Sequence, residues 1–467
     1  MDDKYKLAHE AFVKNPTGST ILATSLVLNI IPISVLFQRV MFASIFDNNV
    51  IFPKPIRFML EFMTIIMPFL AAVTFNDMVP SLLILMLISS LLMPLFAKPN
   101  SKQYYFDDNK ELLRLMNSPR KGFIEEYRAF IMIATVICIL AVDFPVFPRS
   151  FAKTETFGIS LMDIGVGSVV LSGAMVSRNA RSEALKNKVT STETNKKLSR
   201  SALAYHAFVS NLPLMALGFI RLVLTKSTNY QEHVTEYGIH WNFFFTLGFV
   251  SILLSFLKFS PNVNLVVGIV VIGAYQILLS QFGLSDYILN HPRDSLIAAN
   301  KEGICSLAGY LSLHLIGTKL GASIFGKERT TMGQWRAFAM KLMLAGLFLF
   351  GVLIWAESAI QPISRRMTNL TYVLAILALN IFNFSLNMMV SLVTASHIHP
   401  SIIAAGVNRN QLFVFLLANI LTGIVNFSMH TIYATQENSM YVIAGYTLFL
   451  TIVPVIMDYK NITIKLF

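Results

Sequence analysis

Long apolar runs follow one another along the whole chain, separated by short polar breaks. A hydrocarbon core of roughly 30 Å requires about 20 apolar residues per crossing helix. Read that way, the sequence predicts about 13 spans. They fall near residues 20–41, 57–75, 79–97, 128–147, 159–177, 201–225, 238–257, 262–282, 303–325, 337–358, 370–395, 411–431 and 440–458. Lipid offers backbone groups no hydrogen-bond partner, so the spans must be helices; barrel strands would be shorter and would alternate apolar with polar. The expected fold class is all-α: a polytopic membrane protein forming a single bundle and a single domain over residues 1–467. No apolar core with a small-residue cleavage site precedes residue 20, so the first span reads as a signal anchor. Residues 5–14, YKLAHEAFVK, fit a short helix lying in the interface.

Composition agrees with this reading. The chain is 55% hydrophobic and 13% charged. Its net charge of +12 is no sign of nucleic acid, because the basic residues lie in loops between spans. The two polar connectors 98–128 and 178–200 each carry about seven of them, and summing alternate loops gives roughly 23 on one side against roughly 10 on the other. The heavy side is expected to be cytosol. That places the N-terminus lumenal, the C-terminus cytosolic, and the connections 148–158, 226–237, 283–302 and 359–369 on the lumenal or exterior face. The two cysteines, Cys138 and Cys305, both fall inside spans, which excludes a disulfide framework and a thiolate metal site.

Three of those connections carry more polar chemistry than a connector needs. The first holds Asp143, Arg149, Lys153, Glu155 and Asp163, and ionisable groups at a bilayer edge are costly unless hydrated, paired or in use. Pro145 and Pro148 end the fourth span and leave Asp143 at the interface, with Lys153 on the return leg. A carboxylate that takes a proton from a hydroxyl, beside an ammonium that neutralises an oxyanion or holds a phosphate, suits acyl transfer. The bland alternative is that Asp143 caps groups at the helix end while Arg149 and Lys153 snorkel. In the second connection His233, Glu236 and His240 recur near one helical turn, beside Trp241, and would share a face if the segment is helical. No third strong ligand stands at fixed spacing, so no metal site is expected. In the third, Asn300, Lys301 and Glu302 open the ninth span, where acidic residues cap and exposed N–H groups bind anions. Gly317 with Gly321, and Gly165 with Gly167, read as packing positions. Arg221, His314, Lys319, Lys341 and Glu357 remain inside spans, and His314 should face protein or a cavity.

The blocks VDFPVFPRSFAKTETFGISLMDIGVG, QEHVTEYGIHWNFF and NKEGICSLAGY, in that order, closely resemble the glycosylphosphatidylinositol (GPI) inositol acyltransferases. The fungal members are known as GPI-anchored wall transfer proteins, and the match fits a yeast-like member. The resemblance covers spans 4 to 9, with weaker echoes at ISRRMTNLTYV, residues 363–373, and FVKNPTGST, residues 12–20. It implies a multi-pass enzyme of the endoplasmic reticulum that moves a fatty acyl group, usually palmitoyl, from acyl-CoA to the 2-hydroxyl of inositol in glucosaminyl-phosphatidylinositol. Palmitoyl-CoA would be a donor substrate, with no permanently bound cofactor. The acidic and basic residues of the family's first block match Asp143 as general base and Lys153 as oxyanion or CoA-phosphate partner. Arg149, Glu155, Asp163, His233, Glu236, His240, Trp241, Asn300 and Glu302 then stand as candidates for substrate binding. Isoxazole-type antifungals such as manogepix, which target this family, would occupy the acyl or lipid channel.

Direct transfer without an acyl-enzyme is expected, since neither Cys has a neighbouring His in the sequence. A secondary transporter is the leading alternative of another class, but it predicts two related halves and no such repeat is visible. An acyltransferase built on an intramembrane His would need His240 or His314 as base. Asn369-Leu370-Thr371 is a formal glycosylation sequon close to a span.

Overall fold

The computed structural model describes residues 3–13, 16, 18–45, 52–96, 109–181, 200–227, 234–257, 259–394 and 401–464. The described residues are mostly helical, and among them the one strand-like contact is an isolated bridge between Ser19 and Ile159. The all-α expectation holds.

Each predicted span falls on a helix. A short α1 (Asp3–Val13) leads into α2 (Ile21–Ile45), α3 (Lys54–Thr74) and α4 (Asn76–Leu95). After α5 (Asn109–Met116) come α6 (Gly122–Ala141), α7 (Ile164–Met175), α8 (Arg200–Ser227) and α9 (Phe243–Phe256). The second half holds α10 (Pro261–Gln281), α11 (Leu284–Asn290), α12 (Lys301–Phe325), α13 (Met332–Ala359) and α14 (Leu370–Val393). It closes with α15 (Ile402–Arg409), α16 (Gln411–Ser428) and α17 (Gln436–Tyr459). Eight of these, α2, α3, α4, α10, α13, α14, α16 and α17, are long and apolar enough to cross a membrane. Helices α6 and α12 are as long but carry charged residues in their first turns, among them Glu125, Lys301 and Glu302.

Helix α14 is the axis of the bundle. Tyr372, Ile376, Phe384 and Met388 on it are fully buried, and it packs along α13, α2 and α6. The outer helices show the reverse pattern, with Leu91 of α4 and Phe348 of α13 more than two-thirds exposed, as lipid-facing side chains would be.

Two helices are shorter than their apolar runs. Helix α6 stops at Ala141, because Pro145 and Pro148 disfavour helix at and before their own positions. Helix α7 starts only at Ile164, and the irregular segment before it is tied into the protein instead. Thr154 donates from its amide (3.2 Å) and its hydroxyl (2.9 Å) to the Asp163 carboxylate. The Gly158 amide reaches the Ile363 carbonyl at 2.8 Å. Non-helical backbone within a membrane protein persists where its polar groups are satisfied internally, as these are.

Residues 5–14 fall on the short helix α1, and that helix docks on the bundle: Tyr5 is buried, packs on His430 at 4.2 Å and meets the Thr431 hydroxyl at 3.3 Å. Its Phe12 ring lies 4.2 Å from the Arg149 guanidinium. A buried aromatic face outweighs a partition into headgroups when a fitted partner is available. The sequon asparagine is also accounted for, because fully buried Asn369 caps α14 by accepting from the Tyr372 amide at 3.1 Å.

Candidate active site

The four connections expected on one face meet at one end of the bundle. Asp143 stands just past the end of α6, in a turn where its amide donates to Leu140. Its buried carboxylate accepts from the Asn426 side-chain amide of α16 at 2.8 Å. The Asn426 Oδ1 has no partner. Arg149 is turned away from this pocket and donates to the carbonyls of Val142 (2.6 Å), Phe144 and Phe147, closing the end of α6. Burial pulls its guanidinium down to about 10, against the opposing pull of Asp143.

Lys153 does not pair with Asp143. Its ammonium sits on both oxygens of Glu236, at 3.0 and 2.8 Å. Glu236 in turn accepts from Arg365 Nη1 at 2.9 Å, and Arg365 Nε lies 3.0 Å from Asp163. That last approach is a charge contact without hydrogen-bond alignment. Four alternating charges, Lys153, Glu236, Arg365 and Asp163, thus run from the cavity into the protein. Burial alone would raise the Glu236 carboxyl, but Arg365 and then Lys153 overcome it and hold it far below the usual carboxylate range.

Glu236 and His240 do not share the helical face that the sequence suggests for them together with His233. His233 lies outside the described residues. The helix carrying Glu236 is a single turn, Val234–Tyr237, ended by Gly238 at φ +112°. A side chain at Gly238 would also strike the Ala299 carbonyl. The chain therefore turns, and the His240 amide donates to Asn300 Oδ1 at 2.8 Å. Among the described residues no cluster of three His, Cys, Asp or Glu is placed to hold a metal ion.

Asn300 and Glu302 are part of the frame. Asn300 joins the second connection to the third through His240, and fully buried Glu302 is clasped by Arg293 (2.6 and 2.9 Å) and Arg366 (2.8 Å). These carboxylate contacts leave little capacity for a substrate.

A cavity of about 1550 Å³ opens from this end into the bundle. Asp143, Lys153, Glu155, Glu236, Trp241 and Arg365 line its polar end, whereas Arg149, Asp163, His240, Asn300 and Glu302 do not. Its middle is walled by Val169, Leu217, Phe244, Leu247 and Phe415, and Arg128, Arg178, Asn179 and Gln411 line the opposite end. Arg128 and Asp143 are 15 positions apart along α6 and its terminal turn, a rise of about 20 Å. Cys138 and His314 border the same space, as the expectation for His314 required.

A family model described as GWT1 matches residues 5–457 of the chain. The chain belongs to the GWT1 family. It is 54% identical, over 100% of both chains, to the "Phosphatidylinositol-glycan biosynthesis class W protein" of Dictyostelium discoideum. Identity to the "GPI-anchored wall transfer protein 1" of Candida albicans is 36%, again over 100% of both chains, and to that of Aspergillus fumigatus 35% over 99% of each.

Within this GWT1-family chain, two of the residues that sequence reading missed touch the Glu236 and Asp143 carboxylates. Arg365 lies in a stretch noted only as a weak echo, where two arginines after an apolar run look like membrane anchors. Asn426 gives no signal at all, since a single Asn in an apolar helix has many structural uses.

Proposed function

We propose that this chain is a GPI inositol O-acyltransferase of the endoplasmic reticulum membrane. It moves a fatty acyl group, palmitoyl in the family it resembles, from acyl-CoA to the inositol 2-hydroxyl of glucosaminyl-phosphatidylinositol. One observation carries the reading: Asp143 and Lys153 line one end of a cavity whose wall between its two charged ends includes Val169, Leu217, Phe244, Leu247 and Phe415. A long acyl chain needs a dry channel, and an acyl transfer needs a base and an oxyanion partner at its mouth.

The step is written as a direct displacement. Asp143, oriented by Asn426, accepts the proton of the inositol hydroxyl as its oxygen attacks the thioester carbonyl. Lys153, held by Glu236, stabilises the oxyanion of the tetrahedral intermediate. The C–S bond then breaks, the CoA thiolate takes the proton from Asp143, and the acyl ester leaves. Trp241 and Glu155, on the cavity wall, are the remaining candidates for the headgroup; Arg149, Asp163, His240, Asn300 and Glu302 support the loops. By its charge bias the Asp143 end faces the lumen, and the cavity's reach toward Arg128 gives a cytosolic donor a route to it. Isoxazole-type inhibitors would compete for the apolar middle.

Purified protein with labelled palmitoyl-CoA and glucosaminyl-phosphatidylinositol tests this. Wild type should form acyl-inositol product. Asp143→Asn should lose roughly 10²–10⁴-fold as a missing general base does, and Lys153→Ala roughly 10²–10³-fold as a missing oxyanion donor does. Full activity in both variants would move the chemistry elsewhere; no product from wild type, or an acyl-enzyme trapped on Cys138 or Ser150, would overturn the mechanism.

A further inference from the structure

The polar end of the cavity is covered from the aqueous side. His9 and Val13 of α1, and Pro16 after it, line the cavity there, with α1 anchored through Tyr5 and Phe12. Four side chains border the cavity and are at the same time more than half exposed: Ile220 of α8 (54%), and Ile420 (61%), Ile424 (57%) and Phe427 (72%) of α16. Helix α9 joins these two helices from behind. Asn242 donates to the Gly218 carbonyl of α8 at 2.9 Å, and Phe243 stacks against Phe415 of α16 at 5.4 Å. Among the described residues α8 packs extensively on α9 and has no comparable seam with α16. The rim is apolar, as a lipid-facing opening must be.

Arg221 follows Ile220 on α8, lines the cavity, and is close enough to Glu236 to lower its carboxyl. Asn426, beside Phe427, holds Asp143 on the opposite side.

We propose that the gap between α8 and α16 is a lateral portal for a glycerophospholipid with an anionic, hydroxyl-rich headgroup. Arg221 takes its phosphate, the headgroup reaches Asp143 and Lys153, and the tails remain in the bilayer between Ile220 and Phe427. Charge complementarity chooses the occupant: an apolar slot with a guanidinium at its inner edge matches two tails and one phosphate. The assignment rests on the acyltransferase reading only for the identity of the headgroup.

The test uses full-length protein in phosphatidylcholine nanodiscs containing labelled phosphatidylinositol, with a photo-crosslinking phenylalanine at Phe427 or, as control, at the exposed Phe348 of α13. Labelling should be enriched at Phe427 over Phe348. Arg221→Gln should cut that enrichment about fivefold, the weight of one membrane-surface arginine, and Arg221→Lys should largely restore it. Equal labelling at the two positions, or enrichment indifferent to Arg221→Gln in protein that still labels normally at Phe348, overturns the portal. Crosslinking needs no turnover. Enriched labelling without acyl product would keep the portal and reject the acyltransferase reading; acyl product without enrichment would do the opposite.

Discussion

Lys153 and Glu236 belong to different connections, yet the ammonium rests on both oxygens of the carboxylate, and Arg365 grips the same group from behind. Removing Arg365 would leave Asp163 and Glu236 facing each other's surroundings without the charge that separates them. Arg365→Ala should therefore cost roughly 3–5 kcal/mol, read as a lowered unfolding temperature in detergent, because it breaks a buried ion pair from one side. The pH dependence has a definite sign. A carboxyl held far below its unfolded value of about 4.3 contributes fully above that value and loses its contribution only as pH falls through the folded value. The stability gap between wild type and Glu236→Gln should thus be the same at pH 7 and pH 5 and shrink only below about pH 4; thermal melts across that range check it. The ionisable residues of the first block were legible in the sequence as a cluster, but their pairing was not. Spacing suggested Asp143 with Lys153, whereas the ammonium has a closer carboxylate in a segment distant along the chain.

At the scale of elements, apolar run length located the helix under each predicted span, since each run is long enough to demand internal backbone hydrogen bonding; the short helices α5, α11 and α15 lie outside those runs. It could not tell where α7 begins. The run from 159 onward looks continuous, but Asp163 at its start draws Thr154 and Arg365 around itself and holds the preceding backbone in turns. Nor could periodicity show that Gly238 breaks the His233 to His240 segment, because the cause is the close approach of the Asn300 backbone from another connection. The small-residue pair on α12 was read correctly as packing: Gly317 and Gly321 both face α7, the latter against the Met175 backbone. Since α7 carries a wall of the cavity, Gly321→Val should separate the two helices and destabilise the protein by about 1–3 kcal/mol. The expected readout is a lowered melting temperature together with weaker donor binding, while Gly351→Val, at a position with open space around it, leaves both unchanged.

For the whole molecule, charge alternation and hydropathy conveyed the architecture, a polytopic helical bundle with its chemistry-bearing loops gathered at one end. The docking of α1 was not legible, because the amphipathic residues 5–14 suit a headgroup layer as well as a protein surface and only the presence of His430 and Thr431 decides. The cavity itself was anticipated only as an abundance of Phe, Leu and Met, which any bundle shares. Its dimensions carry a cost outside catalysis. A space with charged groups at both ends and about 20 Å of helix between them could short-circuit the membrane it sits in. Val169, Leu217, Phe244, Leu247 and Phe415 then act as electrical insulation, since an apolar stretch of wall interrupts a chain of water and with it a proton wire. Leu217→Asn, which adds an amide to that stretch, should make vesicles holding the protein dissipate an imposed pH gradient faster, as followed with an entrapped pH-sensitive dye. Unchanged leakage would mean that lipid or protein already seals the space by another route.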